Sequence, residues 1–201
     1  MNEDIDLFYE SEDLDAFNST AATQDITFSD LTEDEKAILM GSVLGDGTVQ
    51  KRGNSYRMRI AYSCEKKEHL QWMQDKLQRF CTKRYPRGEF GTFTGKLSAK
   101  DIAENPDKKP PTTCYFYLAS GPYLDTLYNL FYQQVPGEER YVKTITKKTI
   151  EAFPKNPYLL AVWYMDDGSR RRDCYAGKLY TQSFYIHNLL KKKNSIYLKI
   201  I

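Results

Sequence analysis

The stretch LMGSVLGDG at residues 39–47 decides how the whole chain is read, because a stretch of the same kind, LAVWYMDDG, returns at residues 160–168. Each is an apolar run of helical length that ends in an acid followed by glycine. The apolar residues, with the small Gly41, Ser42 and Gly45, suit a helix packed closely against another helix. Gly47 and Gly168 read as helix stops, since glycine enters the left-handed C′ conformation at little cost. Two buried helices would then bring one carboxylate each, Asp46 and Asp167, to the same end of a helix pair. Acids held together in this way make a hard-oxygen site for Mg²⁺, of the kind that assists phosphodiester hydrolysis. A carboxylate beside a helix C-terminus is electrostatically unfavourable, and placing one there twice calls for a compensating cation.

The two stretches resemble the paired signature of the LAGLIDADG homing endonucleases. Asp46 and Asp167 fall at the family's catalytic acid positions, and the second stretch is similar to the YMDDG variant of the organelle-intron subgroup. The two acids lie 121 residues apart, and each leads into a strand-like stretch. The resemblance implies an α/β (α+β) fold of two pseudo-symmetric αββαββα halves, whose antiparallel sheets form a saddle over duplex DNA. It further implies a monomeric, site-specific double-strand endonuclease active in intron homing, encoded in a chloroplast or mitochondrion. Mg²⁺ or Mn²⁺ would be held at Asp46, Asp167, Gly45 and Asp166. The alternative is a catalytically inactive nucleic-acid-binding protein, such as a maturase acting on host intron RNA.

Charge points the same way. The formal net charge of the 201-residue chain is +2, yet residues 1–30 hold nine acids and no Lys or Arg, which leaves +11 on the remainder. A body this basic suits a polyanion. The acidic segment lacks regular periodicity and reads as a disordered tail, either solvated or folded back over the basic groove. It has neither a basic n-region nor an Arg-rich amphipathic pattern, so no signal or transit peptide is expected. No apolar run is long enough to span a membrane. Cys64, Cys81, Cys114 and Cys174 form no CxxC pair and read as free thiols in a reducing compartment.

Outward from the first motif, Thr32 and Glu35 fit a capping box for the helix that carries it. After Gly47, strands are expected at 48–51 and 55–63, with a turn at Arg52-Gly53-Asn54. In the second strand Tyr56, Met58, Ile60 and Tyr62 point to one face, and Arg57 and Arg59 to the other. Residues 65–81 read as a covering helix, 90–97 and 113–120 as strands separated by a Pro- and Lys-rich loop at 104–111, and 123–133 as a helix. Residues 147–153 suit a short helix. Asn156 and Pro157 then mark the N-cap and first position of the second motif helix, and 169–184 reads as a hairpin. The chain thus divides into a tail (1–30), a first half (31–134), a basic connection (135–155) and a second half (156–201). From Leu39 to Gln134 the first half uses 96 residues, whereas Leu160 to Ile201 leaves 42. The second half is therefore abbreviated, or the reading frame is decaying.

For nucleic acid the candidates are Gln50, Lys51, Arg52, Arg57 and Arg59 from the first half and Arg170, Arg171, Arg172, Lys178 and Gln182 from the second. Arginine suits guanine O6/N7 and glutamine suits adenine N6/N7, although Gln50 and Gln182 equally suit orienting water near a metal. Other chemistries lack their residues. His69 and His187 form no HxxxH pattern, and His69 falls on the polar side of its helix, which argues against zinc or an HNH nuclease. There is no GxxxxGK[ST] stretch for nucleotide hydrolysis. The YMDD of a reverse transcriptase would need a longer chain and would leave the first motif without a role.

Overall fold

The computed structural model describes residues 25–170, 176–180 and 195–199. Helix α1 (Glu33–Leu44) opens on the expected capping box: Thr32 Oγ1 accepts from the Glu35 amide at 3.2 Å, and Glu35 Oε2 accepts from the Thr32 amide at 2.8 Å. From Ala37 to Leu44 the helix is buried on every side, so it forms the centre of the molecule. Strands β1 (Thr48–Arg52) and β2 (Ser55–Ser63) follow as a hairpin, then α2 (Lys67–Lys76), β3 (Gly91–Thr94), α3 (Ala99–Glu104), β4 (Thr112–Leu118) and α4 (Pro122–Phe131). The four strands make one antiparallel sheet in the order β1-β2-β4-β3.

The alternation read in β2 holds. Met58, Ile60 and Tyr62 are buried while Arg57 and Arg59 stay half-exposed on the other face. Pairing Ile60 with Phe116 and Met58 with Leu118 puts one apolar face against Leu70 and Met73 of α2 and Leu124, Leu127 and Phe131 of α4, in a single core. Tyr123 is wholly buried, and its hydroxyl is satisfied by donating to the Ala119 carbonyl at 2.6 Å.

The helix read over 123–133 ends at Phe131, and the connection to the second motif holds a strand ahead of the expected short helix. Strands β5 (Tyr132–Gln134) and β6 (Tyr141–Lys143) pair as a hairpin, and α5 (Lys147–Glu151) follows. Helix α6 (Pro157–Asp167) starts at the predicted cap. Asn156 Oδ1 accepts from the Tyr158 amide at 2.9 Å, while Asn156 Nδ2 donates to Asp34 Oδ1 at 2.7 Å and so ties the starts of α6 and α1 together. The two motif helices then run side by side in the same direction. Beyond them β7 (Gly168–Arg170), β8 (Ala176–Tyr180) and β9 (Ser195–Lys199) form a second antiparallel sheet.

Several expectations are corrected. Cys64 and Cys114 are disulfide-bonded, with Cα atoms 5.0 Å apart, because the β2–β4 pairing places residues 50 positions apart side by side; Cys81 is a buried free thiol. Neither Gly47 nor Gly168 takes a positive φ. Glycine is required there for space: a Cβ at Gly47 would lie 2.6 Å from the Ser42 carbonyl oxygen. Helix α1 ends at Leu44, so Asp46 lies beyond it. His69 is half-buried between the rings of Tyr62 and Trp72, and burial pushes its pKa down. The helix read over 65–81 breaks after Lys76 into a short 3₁₀ turn. Most of the acidic tail (residues 1–24), Arg171, Arg172, Cys174 and Gln182 lie outside the described residues.

Candidate active site

Because α1 stops at Leu44 and β1 starts at Thr48, Asp46 occupies a tight turn, Gly45-Asp46-Gly47, with its side chain exposed. The turn is held from both sides. The Gly47 amide reaches back to the Ser42 carbonyl at 2.7 Å, and the Lys143 ammonium donates to the carbonyls of Gly45 (3.0 Å) and Gly47 (2.7 Å). Asp167 arrives differently, as the last residue of α6, half-buried at the same end of the helix pair. Burial raises its pKa and the Asp46 charge raises it further, against the Trp163 indole and Lys143.

Asp166 turns into the seam between the helices. Its Oδ2 accepts from the Asp46 amide at 3.1 Å, and its Oδ1 is closed off from solvent. Burial pushes its pKa up to about 6; the Tyr62 hydroxyl and the Asp46 amide favour the ionised form, while the charges of Asp46 and Asp167 oppose it. Lys143 is shifted down to about 8 by burial, although Asp46, Asp167 and Asp166 all attract its proton. The cluster is thus three carboxylates and one ammonium at the ends of the two motif helices, of which α1 is buried as expected whereas α6 buries Leu159, Val162 and Trp163 and leaves Leu160 and Met165 exposed.

Lys143 is the site residue that the sequence reading misses. It lies on β6, nearly a hundred positions from the turn it holds, and no local pattern distinguishes it from its neighbours Lys147 and Lys148. Only the fold of the β5–β6 hairpin under the motif ends brings it there.

Among the described residues, no group of three or more acid, histidine or cysteine side chains is arranged to hold a metal ion. Of the four predicted donors, Asp166 is engaged with the Asp46 amide and the Gly45 carbonyl with Lys143. Asp46 and Asp167 remain, and Oδ2 of Asp167 is shielded from solvent without a hydrogen-bond partner. Mg²⁺ commonly takes one or two carboxylates and completes its shell with water and substrate phosphate. The donor set fits that arrangement and does not fit a closed protein cage.

The outer face of the first sheet continues from this end. Gln50 and Arg57 face each other across β1 and β2, and Arg57 Nε donates to Gln50 Oε1 at 3.0 Å. The Arg57 guanidinium lies 5.0 Å from the Tyr117 ring centre and that of Arg59 lies 5.8 Å from Tyr115. The arginines are therefore spread over tyrosine faces, which fixes planar donors on the sheet. Lys51 and Arg52 are exposed at the hairpin tip. In the second sheet Lys178 on β8 pairs with Ser169 on β7, the strand that ends at Arg170.

A sequence model described as the LAGLIDADG DNA endonuclease family matches residues 36–196 of the chain. DNA endonuclease I-ChuI of Chlamydomonas applanata is 27% identical over 158 residues, covering 77% of this chain and 67% of that protein. Protein RecA of Mycolicibacterium chitae is 24% identical over 141 residues, which are 69% of this chain and 26% of that protein. The solved structure of the homing endonuclease I-WcaI bound to its DNA recognition sequence superposes with a TM-score of 0.58 at 17% identity. That match covers 77% of this chain and 62% of the other. At such identity the structural likeness speaks for the fold alone.

Proposed function

Because the chain belongs to the LAGLIDADG DNA endonuclease family, we propose that it is a site-specific endonuclease that hydrolyses both strands of a long, asymmetric DNA site in intron homing. Asp46 and Asp167 form the catalytic pair. The observation that carries this reading is their convergence at one end of the packed pair of motif helices, next to a lysine that braces the first acid's turn. A relative that is itself named a DNA endonuclease supports the substrate class, and its algal source is in keeping with an organellar setting.

Mg²⁺ or Mn²⁺, held by Asp46 and Asp167, would supply Lewis-acid charge and an activated water at the scissile phosphodiester. The protein's own part is positional. The helix pair and the braced Gly45-Asp46-Gly47 turn bring the two carboxylates to one end, where a phosphate would meet both. Lys143 gives two of its three ammonium protons to Gly45 and Gly47, which leaves one for a phosphate oxygen. Gln50, Arg57, Arg59 and Lys178 present donors to the grooves and backbone on either side.

The test is a cleavage assay on supercoiled plasmid carrying the intron-less allele of the host gene, with Mg²⁺ and then with EDTA. Wild-type protein should yield a linear product in Mg²⁺ alone. Asp46→Asn and Asp167→Asn should abolish cutting and leave DNA binding within about threefold, since neither changes fold or charge on the sheet. Cutting that persists in both variants refutes the assignment. Salt-sensitive binding with no product from wild type would make the protein a nucleic-acid-binding relative without catalysis, and faster intron splicing would mark it as a maturase.

A further inference from the structure

The two motifs are not equivalent at the position before the acid. The first has Gly45, the second Asp166. In the fold these two positions meet across the helix seam. A side chain at Gly45 would collide with the Asp166 carboxylate, whose Cγ stands 2.6 Å from the place of its Cβ. One motif supplies the carboxylate and the other the space for it.

The asymmetry matches a difference in how the helices end. Asp167 is inside α6, and the helix closes behind it with the Gly168 amide donating to the Tyr164 carbonyl. Asp46 lies two residues beyond the end of α1, and its amide takes no carbonyl of the helix. The Gly45 amide is taken by Gly41 and Ser42, and the Gly47 amide by Ser42. The Asp46 amide between them is bonded to Asp166 Oδ2 at 3.1 Å. Tyr62, a buried residue of β2, has its phenol pushed far up by burial and by the charges of Asp166, Asp46 and Asp167.

We propose that Asp166 is a positioning residue that clamps the backbone of the catalytic Asp46 from across the helix seam, with Gly45 as the space that the clamp requires, and that it does not serve as a metal ligand. The proposal rests on the endonuclease reading for the word catalytic. The clamp itself is a matter of backbone geometry.

Two variants separate the roles. Asp166→Asn keeps an oxygen acceptor and loses the charge. Asp166→Leu keeps the bulk and loses the acceptor. A clamp predicts single-turnover cutting within about threefold of wild type for Asn. For Leu it predicts a loss of about 100-fold, the scale of an ångström misplacement, with DNA affinity and the Mg²⁺ midpoint unchanged. A metal ligand predicts instead that Asn is as damaged as Leu and needs more Mg²⁺, and that result overturns the proposal. A second readout needs no turnover: amide hydrogen exchange at Asp46 in the metal-free protein should speed up in Leu and not in Asn. Unchanged exchange in Leu also overturns it. In addition, Gly45→Ala should destabilise the wild-type chain and be tolerated beside Asp166→Gly; simple additivity of the two would show that the carboxylate does not occupy that space. If wild-type protein cuts no DNA, the endonuclease reading fails, while the exchange and stability measurements still decide the clamp.

Discussion

Gly41→Ala should harm cutting more than stability, and the structure sets both magnitudes. A methyl group at Gly41 would sit 2.8 Å from the Leu159 carbonyl oxygen and 3.0 Å from Val162 Cβ. Ordinary contact begins at 3.4 Å, so α6 must move away from α1 by about 0.6 Å, the difference between those limits. Neither neighbour is the end of a flexible side chain, so the movement is one of backbone. Overpacking of this kind costs about 1–3 kcal/mol, and the better helix propensity of alanine returns up to about 1 kcal/mol. A net loss of about 1 kcal/mol lowers Tm by about 2–4 °C in a chain of this size. The same movement separates the elements that carry Asp46 and Asp167. If a displacement of 1 Å costs about 100-fold in rate, then 0.6 Å costs about 10- to 20-fold. Thermal melts and single-turnover cleavage at saturating protein would measure the two effects. A raised Tm with an unchanged cutting rate would refute the reasoning, because it would mean that the seam has room for a methyl group.

Three other outcomes are expected. Glu35 is buried, which raises its pKa most, but two hydrogen bonds from Arg79 (2.7 and 2.6 Å) and those with Thr32 outweigh burial and leave it lowered. The ionised pair therefore stabilises the fold above the unfolded value near 4.5, and that stability is lost as pH falls through the lower folded value. Glu35→Gln should be less stable by about 1–3 kcal/mol at pH 7 in urea titrations and lose its disadvantage in acid; equal curves at pH 7 would count against the pair. Arg59→Ala should leave Tm within about 2 °C, as expected for a half-exposed side chain, and cost about 1–3 kcal/mol of discrimination at one base pair in a binding-selection assay. Uniform weakening across sequences would make Arg59 a phosphate contact instead. Cys64→Ser should lose up to about 4 kcal/mol, the chain-entropy value for a loop of this span. Reductant should reproduce the loss in wild type and leave the variant unchanged; no effect of reductant on wild type would show that the cross-link does not stabilise.

The parts of the fold that were legible in the sequence are those governed by neighbours along the chain. Thr32 and Glu35 cap α1 because both bonds close within one turn. The period-two alternation of β2 decides which residues face the core, and Asn156-Pro157 starts α6 through contacts two residues away. The apolar runs ending in Asp46 and Asp167 announced a helix pair with its acids at one end; apolarity on every side marked α1 as buried, but α6, equally apolar, buries only the face with Leu159, Val162 and Trp163.

What the tertiary structure alone decided are the contacts between residues about 50 to 120 positions apart. Lys143 braces the Asp46 turn from β6, and Asp166 reaches its amide from α6. Cys64 meets Cys114 across β2 and β4. Gly47 and Gly168 turn out to be glycines for lack of space and not for a left-handed turn. Spacing along the chain carries no record of these meetings, because each depends on which elements pack and at what distance. The sequence by itself determined the two helices and their carboxylates. The tertiary structure decided what holds those carboxylates still, because a side chain is restrained by whatever the fold brings within hydrogen-bonding distance.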